Sequence, residues 1–419
     1  MAENDDDKTP SVPASGDEPV RPAVPEEPTV QATVPSTPEF DFSAEQNELR
    51  TGLRRFVERQ SDEATVRRLI ETDLGYDRAL WGRLGSELGA LALAVPEDLG
   101  GAGAGLVDQA IAAEELGAAL FCGPLLGTVG LAIPALVAAP AGPVRDELLP
   151  ALAEGTRTAA FVGALFAPYD PSATTIASSG AGERTTLSGT VEQVPDAGAA
   201  DVLLVAASGP DGPVLVAVES ADARITVRGS LDLTRRHARV DLDGAQGRVV
   251  ASGAGADRAI RHAYAVAGVL LAAEQVGIAQ HLLDITVAYA KERLQFGRPI
   301  GSFQAVKHRC ADMLVAVEHA RSTAYHAAWA VQDPSLDDPE LAVAIAQSTC
   351  SEACYRIAAD AIQMHGGIGF TWEHQAHLYY KRAIADAALL GSAEAYREVV
   401  SSRVLDALGD VRAPVVATG

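Results

Sequence analysis

The sequence predicts a mainly α-helical protein with a central β domain. It reads as a helical N-terminal domain, a small antiparallel β-sandwich or barrel, and a C-terminal four-helix bundle. Three observations predict this. Apolar residues recur at helical spacing from about residue 40 to 161, and again over 258–405. Between them, residues 160–250 switch to short β-rich runs punctuated by Gly, Pro and Asp. The composition, 48% apolar with only 5% aromatic residues, suits close helix packing. The expected boundaries are a tail at 1–40, a helical domain at 41–158, a β domain at 159–252 and a helical bundle at 253–419.

The elements follow in order. Residues 1–38 hold eight prolines among many Asp, Glu, Ser and Thr, the composition of a disordered acidic tail. Ser43-Ala44-Glu45-Gln46 is a capping box opening a helix with Leu49, Leu53 and Phe56 on one face. Tyr76 to Leu88 carries Leu80, Leu84 and Leu88 at four-residue spacing. Pro96–Gly103 is a glycine-rich turn; it lacks a lysine and follows no strand, so a structural role outweighs phosphate binding. Val107 to Leu120 resumes a helix. The β runs are Thr186–Val191, Val202–Ala206, Val214–Val218, Ile225–Val227 and Ala238–Leu242, with turns such as Gly209-Pro210-Asp211-Gly212 between them.

Charge and cysteines narrow the function. The 419-residue chain has a net charge of −23, which argues against nucleic acid or an anionic membrane as a partner. A phosphorylated ligand would need locally concentrated cations, and the Arg293–Arg298 loop has them. Four sparse cysteines (Cys122, Cys310, Cys350, Cys354) read as reduced, buried thiols, and His308, His365, His374 and His377 show no metal spacing. Residues 1–30 contain no apolar signal stretch, and the apolar run from Ala263 to Ala273 is too short to span a bilayer and ends at Glu274. A cytoplasmic protein without a metal is expected.

The most informative stretch runs from Lys291 to Met313. A long apolar helix must break at Gly297, Pro299 and Gly301, placing a cation (Arg293), an amide (Gln295) and an aromatic (Phe296) at a helix end beside a glycine. That combination suits an anionic, partly aromatic ligand such as a dinucleotide. Downstream, Gly366-Gly367 is either a helix cap or a place where backbone can approach a phosphate or sugar.

These segments together carry a resemblance. Arg293-Leu294-Gln295-Phe296-Gly297-Arg298-Pro299-Ile300 with Ala311-Asp312-Met313, then Gln363-Met364-His365-Gly366-Gly367-Ile368-Gly369-Phe370 with Tyr380-Lys381-Arg382, resemble acyl-CoA dehydrogenase motifs. Upstream, Pro96–Gly103 and Glu114-Glu115-Leu116-Gly117 match in the same order, so the similarity spans roughly residues 43–405. The resemblance implies an FAD flavoprotein subunit for α,β-dehydrogenation of an acyl-CoA thioester. It implies an oligomer in which Arg293, Gln295, Phe296, Gln363, Gly366 and Gly367 reach the FAD held chiefly by a neighbour. An electron-transfer flavoprotein is the kind of acceptor it implies.

Two departures from the family pattern matter. The stretch that should reach the flavin ring corresponds to Ala164-Leu165-Phe166-Ala167-Pro168-Tyr169-Asp170, without the family's hydroxyls and glycine. The two positions where members carry the catalytic Glu are Ala267 and Gly391 here. Glu274, two turns after Ala267 in an apolar run, is either a relocated base or a buried carboxylate with a structural partner. Asp386 and Glu394, near Gly391, are expected to point elsewhere. The readings left open are one half of a heteromer with a second acyl-CoA dehydrogenase-like chain, a non-catalytic subunit completing a partner's FAD site, and a self-sufficient enzyme using Glu274.

Overall fold

The computed structural model describes residues 41–180 and 182–411, with side chains through Leu405. The expectation of a disordered tail at 1–40 lies outside the described residues. Helices α1 (Ala44–Gln60), α2 (Glu63–Ile70), α3 (Arg78–Ser86), α4 (Leu106–Ala118), α5 (Ile133–Ala138) and α6 (Pro143–Ala153) come first. The expected capping box is present at α1: Ser43 Oγ accepts from the Gln46 amide, and the Gln46 side chain accepts from the Ser43 amide. A π-helix, Leu125–Ala132, runs directly into α5. The Pro96–Gly103 loop is a structural turn, with Gly100 (φ 88°) and Gly103 (φ 66°) in the left-handed region and the Gly103 amide bonded back to Val95 O.

The β domain holds β1 (Ala159–Val162), β2 (Ala177–Ser179), β3 (Arg184–Ser188), β4 (Thr190–Pro195), β5 (Val202–Gly209), β6 (Gly212–Glu219), β7 (Arg224–Val227), β8 (His237–Asp241) and β9 (Ala245–Ser252). Strands β5, β2, β3, β9 and β6 form a ring that closes because β6 also pairs with β5, making a small barrel. A three-stranded sheet β4–β8–β7 lies beside it. Most pairings are antiparallel, but β1 and β2 both run parallel to β5. The expected single strand Thr186–Val191 is instead two, because Gly189 (φ 142°) turns the chain between β3 and β4. Over Val202–Ala207, β5 is apolar throughout since both faces are buried. Val202, Leu204 and Ala206 pack toward the helices, while Leu203, Val205 and Ala207 face the barrel interior.

The chain then enters α7 (Gly253–Glu292), a tiny hairpin β10 (Leu294–Gln295) and β11 (Arg298–Pro299), and helices α8 (Gln304–Gln332), α9 (Pro339–His365), α10 (Ala376–Asp386) and α11 (Ala393–Val411). Helices α7, α8, α9 and α11 form the bundle. α7 is long and apolar enough to cross a membrane, but it is the buried centre of this bundle. It also meets α4 at backbone contact: a Cβ on Gly277 would lie 1.9 Å from Glu114 O, and one on Gly117 would lie 2.5 Å from Glu274 O. Beside that crossing the Glu114-Glu115 pair is buried. Glu115 takes Arg50 and Arg54 of α1, while Glu114 takes Arg50 together with Arg321 and Tyr325 of α8. That motif is therefore an anchor for α1 and α8.

Candidate flavin site and a buried ionic cluster

Arg293 is the C-cap of α7, where the apolar pattern stops, and its amide bonds to Tyr289 O. The hairpin that follows turns through Phe296 (φ 52°) and Gly297 (φ 78°), the two consecutive left-handed residues of a two-residue β-hairpin loop. Phe296 is left 92% exposed. Its neighbour Arg298 is already used, lying over the Phe303 ring at 4.2 Å. Arg293 makes no ion pair among the described residues and is exposed. The C-terminal end of α9 lies alongside: the Tyr289 and His365 rings are 4.6 Å apart, joining the ends of α7 and α9. There Gln363, Gly366 and Gly367 are exposed, and a Cβ on either glycine would meet nothing within 4 Å. A free guanidinium, an amide and bare backbone thus share one end of the bundle. They fit the diphosphate half of a dinucleotide.

The ring half does not fit in the same way. In the stretch 164–170, Leu165 is buried in the core, Pro168 packs against Gly391, and Leu165 O accepts the Leu390 amide at 2.7 Å. No side chain there carries a hydroxyl until Tyr169, which is spent on Asp257. Gly391 has φ 121°, and a Cβ on it would lie 2.7 Å from Pro168 Cδ and 2.9 Å from Pro168 N. The second family position, Ala267, is fully buried in the apolar core that also holds Phe161, Leu165 and Leu390.

Glu274 sits in an ionic cluster that closes the β domain onto the helices. Its Oε1 accepts from Arg382 of α10 at 2.5 Å and its Oε2 from Arg235, in the loop before β8, at 2.6 Å. Arg382 also bonds Asp232 (2.6 Å) and Thr234 (2.6 Å), and Arg235 also bonds Asp386. Arg235, Arg382, Asp232, Glu274 and Asp386 are all buried. Asp386, expected to point away, points into the cluster from the last turn of α10. Burial alone would raise the Glu274 carboxyl, but the two guanidinia outweigh it and hold the group below its ordinary value. Burial pushes Asp386 up to about 8, because three carboxylates share two cations and one must keep its proton. Glu274 also borders a small apolar cavity lined by Leu116, Leu126, Val129, Leu270 and Leu271.

Asp232 and Arg235 have no periodic signal, since Asp232-Leu233-Thr234-Arg235 reads as a polar turn. The usable clue was Glu274 itself: a carboxylate in an apolar helix demands buried cations.

Comparison with known proteins agrees with the fold. Residues 43–156 match the acyl-CoA dehydrogenase N-terminal domain and residues 253–405 the C-terminal domain. The chain is 38% identical over 350 residues to "Acyl-CoA dehydrogenase IpdE2" of Mycolicibacterium smegmatis, covering 84% of this chain and 96% of that one. Its fold is similar to the ChsE4-ChsE5 complex from Mycobacterium tuberculosis (TM-score 0.79, 28% identity, 88% of this chain and 99% of that chain). It is also similar to a variant of the Tcur3481-Tcur3483 steroid ACAD (TM-score 0.78, 29% identity, 87% and 99%). The chain belongs to the acyl-CoA dehydrogenase family, the flavin-dependent oxidoreductases of acyl-CoA thioesters.

Proposed function

We propose that this chain is the non-catalytic half of a heteromeric acyl-CoA dehydrogenase. Its exposed bundle end completes the FAD site of a second family member, which supplies the base and the flavin-ring contacts. One observation carries the reading: the ring and backbone nitrogen of Pro168 fill the space beside Gly391 where a catalytic carboxylate would project. The chemistry FAD would supply when bound is hydride acceptance from the acyl β-carbon. On this chain Arg293 would neutralise diphosphate charge, Gln295 and Gln363 would donate hydrogen bonds, Gly366 and Gly367 would let backbone approach, and Phe296 would offer an apolar face. The reading in which Glu274 serves as base is disfavoured. Both of its oxygens are occupied by guanidinium groups, and a carboxylate held low is a poor proton acceptor.

The paired names of the ChsE4-ChsE5 and Tcur3481-Tcur3483 assemblies support a two-chain enzyme, and the latter's description supports a bulky, steroid-like acyl group. An electron-transfer flavoprotein is the proposed acceptor, and the cytoplasm the proposed location. The test is to purify the chain alone and with a family member that retains the Glu. Flavin bleaching by acyl-CoA should need the mixture. Turnover by this chain alone would refute the proposal.

A further inference from the structure

Four of the chain's nine histidines surround the base of the glycine loop. His365 closes α9, and its Nδ1 pairs with Ala361 O at 2.7 Å. His374 lies 4.2 Å from it, ring to ring, and accepts the Ala376 amide on Nδ1 at 3.1 Å. His281 of α7 stacks on Tyr379 at 4.5 Å and pairs through Nε2 with Gln375. His377 meets the Trp372 ring edge at 4.7 Å. Nε2 of His377 is buried without a hydrogen-bond partner, while His365 faces the Ile285 backbone on its other side. No metal explains the grouping, since among the described residues no three such side chains are placed to hold one.

We propose that this imidazole cluster makes the loop 366–375 an acid-released element, seated while the rings are neutral and freed when they take protons. The charges facing it are of both signs, so no excess of carboxylate holds added protons in place. Glu63 of α2 is paired with its own Arg67, Asp284 of α7 faces His281, and Lys381 of α10, lying over Trp372, faces His377. Burial lowers all four histidines, His377 to about 4. The neutral form is therefore the one the fold prefers. The stabilisation is complete above the ordinary histidine value and is lost as pH falls from about 6.5 toward the depressed folded values. The same loop carries Gly366 and Gly367, so its consequence for FAD rests on the function proposed above.

Hydrogen exchange of the full chain between pH 7.5 and 5, corrected for intrinsic rates, tests the release. Peptides spanning 361–378 should lose about tenfold protection or more at the acid end, the change a single imidazole produces when seating weakens its proton affinity tenfold. Mid-α7 peptides should hold theirs. A His374→Gln, His377→Gln variant should flatten the change, and resonances of labelled histidine rings should titrate together below the ordinary value. Constant loop protection, or an equal loss in the variant, overturns the proposal. In the two-chain assembly, FAD loss with the same midpoint supports both readings. Loop release without FAD loss supports the switch and counts against the flavin contact.

Discussion

Replacing Glu274 by Gln separates a structural carboxylate from a catalytic one. The amide keeps the shape but offers one oxygen where two guanidinia now bind, at 2.5 and 2.6 Å, and turns an NH₂ group toward the other. Breaking a buried pair in this way costs about 3–5 kcal/mol. The cluster tempers that loss. With Glu274 neutral, Asp232 and Asp386 balance Arg235 and Arg382, so Asp386 no longer needs its proton. In the parent protein Asp386 holds that proton up to about pH 8, whereas an unfolded aspartate loses it near 3.8. Its contribution is present in acid and lost as pH climbs between those values. The variant should therefore be destabilised by roughly 3–4 kcal/mol near pH 6, the lower part of the range for breaking a buried pair. Its stability should also decline less between pH 5 and 8 than that of the parent. Urea unfolding across pH measures both. FAD content and turnover of the two-chain assembly should fall no further than the loss of folded protein explains. A variant as stable as the parent but unable to turn over would refute the argument and restore Glu274 as the base.

Gly391→Glu should not create a self-sufficient enzyme; the new Cβ meets Pro168, so melting temperature falls while the isolated chain stays inactive toward acyl-CoA. Arg293→Ala should lower FAD occupancy of the assembly, read from its visible spectrum, whereas Arg298→Ala, already committed to Phe303, should change it little. Equal losses would indicate general electrostatic attraction. Gly277→Ala should cost about 3 kcal/mol by forcing α4 away from α7; a melting temperature near that of the parent would contradict the backbone contact.

Much of the architecture was legible because its signals are local. The Ser43–Gln46 capping box and the α7 period followed by Gly297 and Pro299 are written within a few residues of where they act. The short strands β1 and β2 were not legible, because Ala159–Val162 is as apolar as the helix before it and only pairing with β5 distinguishes it. The residues proposed to face the flavin stood out through glycine placement and through the resemblance to family motifs. The ionic cluster did not, since Asp232, Arg235, Glu274, Arg382 and Asp386 come from three distant segments, and charge alone cannot say which will be buried together. The closure at Gly391 is likewise a tertiary fact: absence of a carboxylate is readable, whereas Pro168 standing in its place is not.

The glycine crossing of α4 and α7 sets how the molecule can flex. Two helices in backbone contact have no side-chain layer to slide on, so the N-terminal helices and the bundle turn as one lever. The barrel joins the same body, through the apolar layer of Val202, Leu204 and Ala206 and through Arg235, which reaches Glu274 of α7 and Asp386 of α10. From Ser43 onward the described residues therefore form one compact unit, with the loop 232–235 as a further tie between strand and helix.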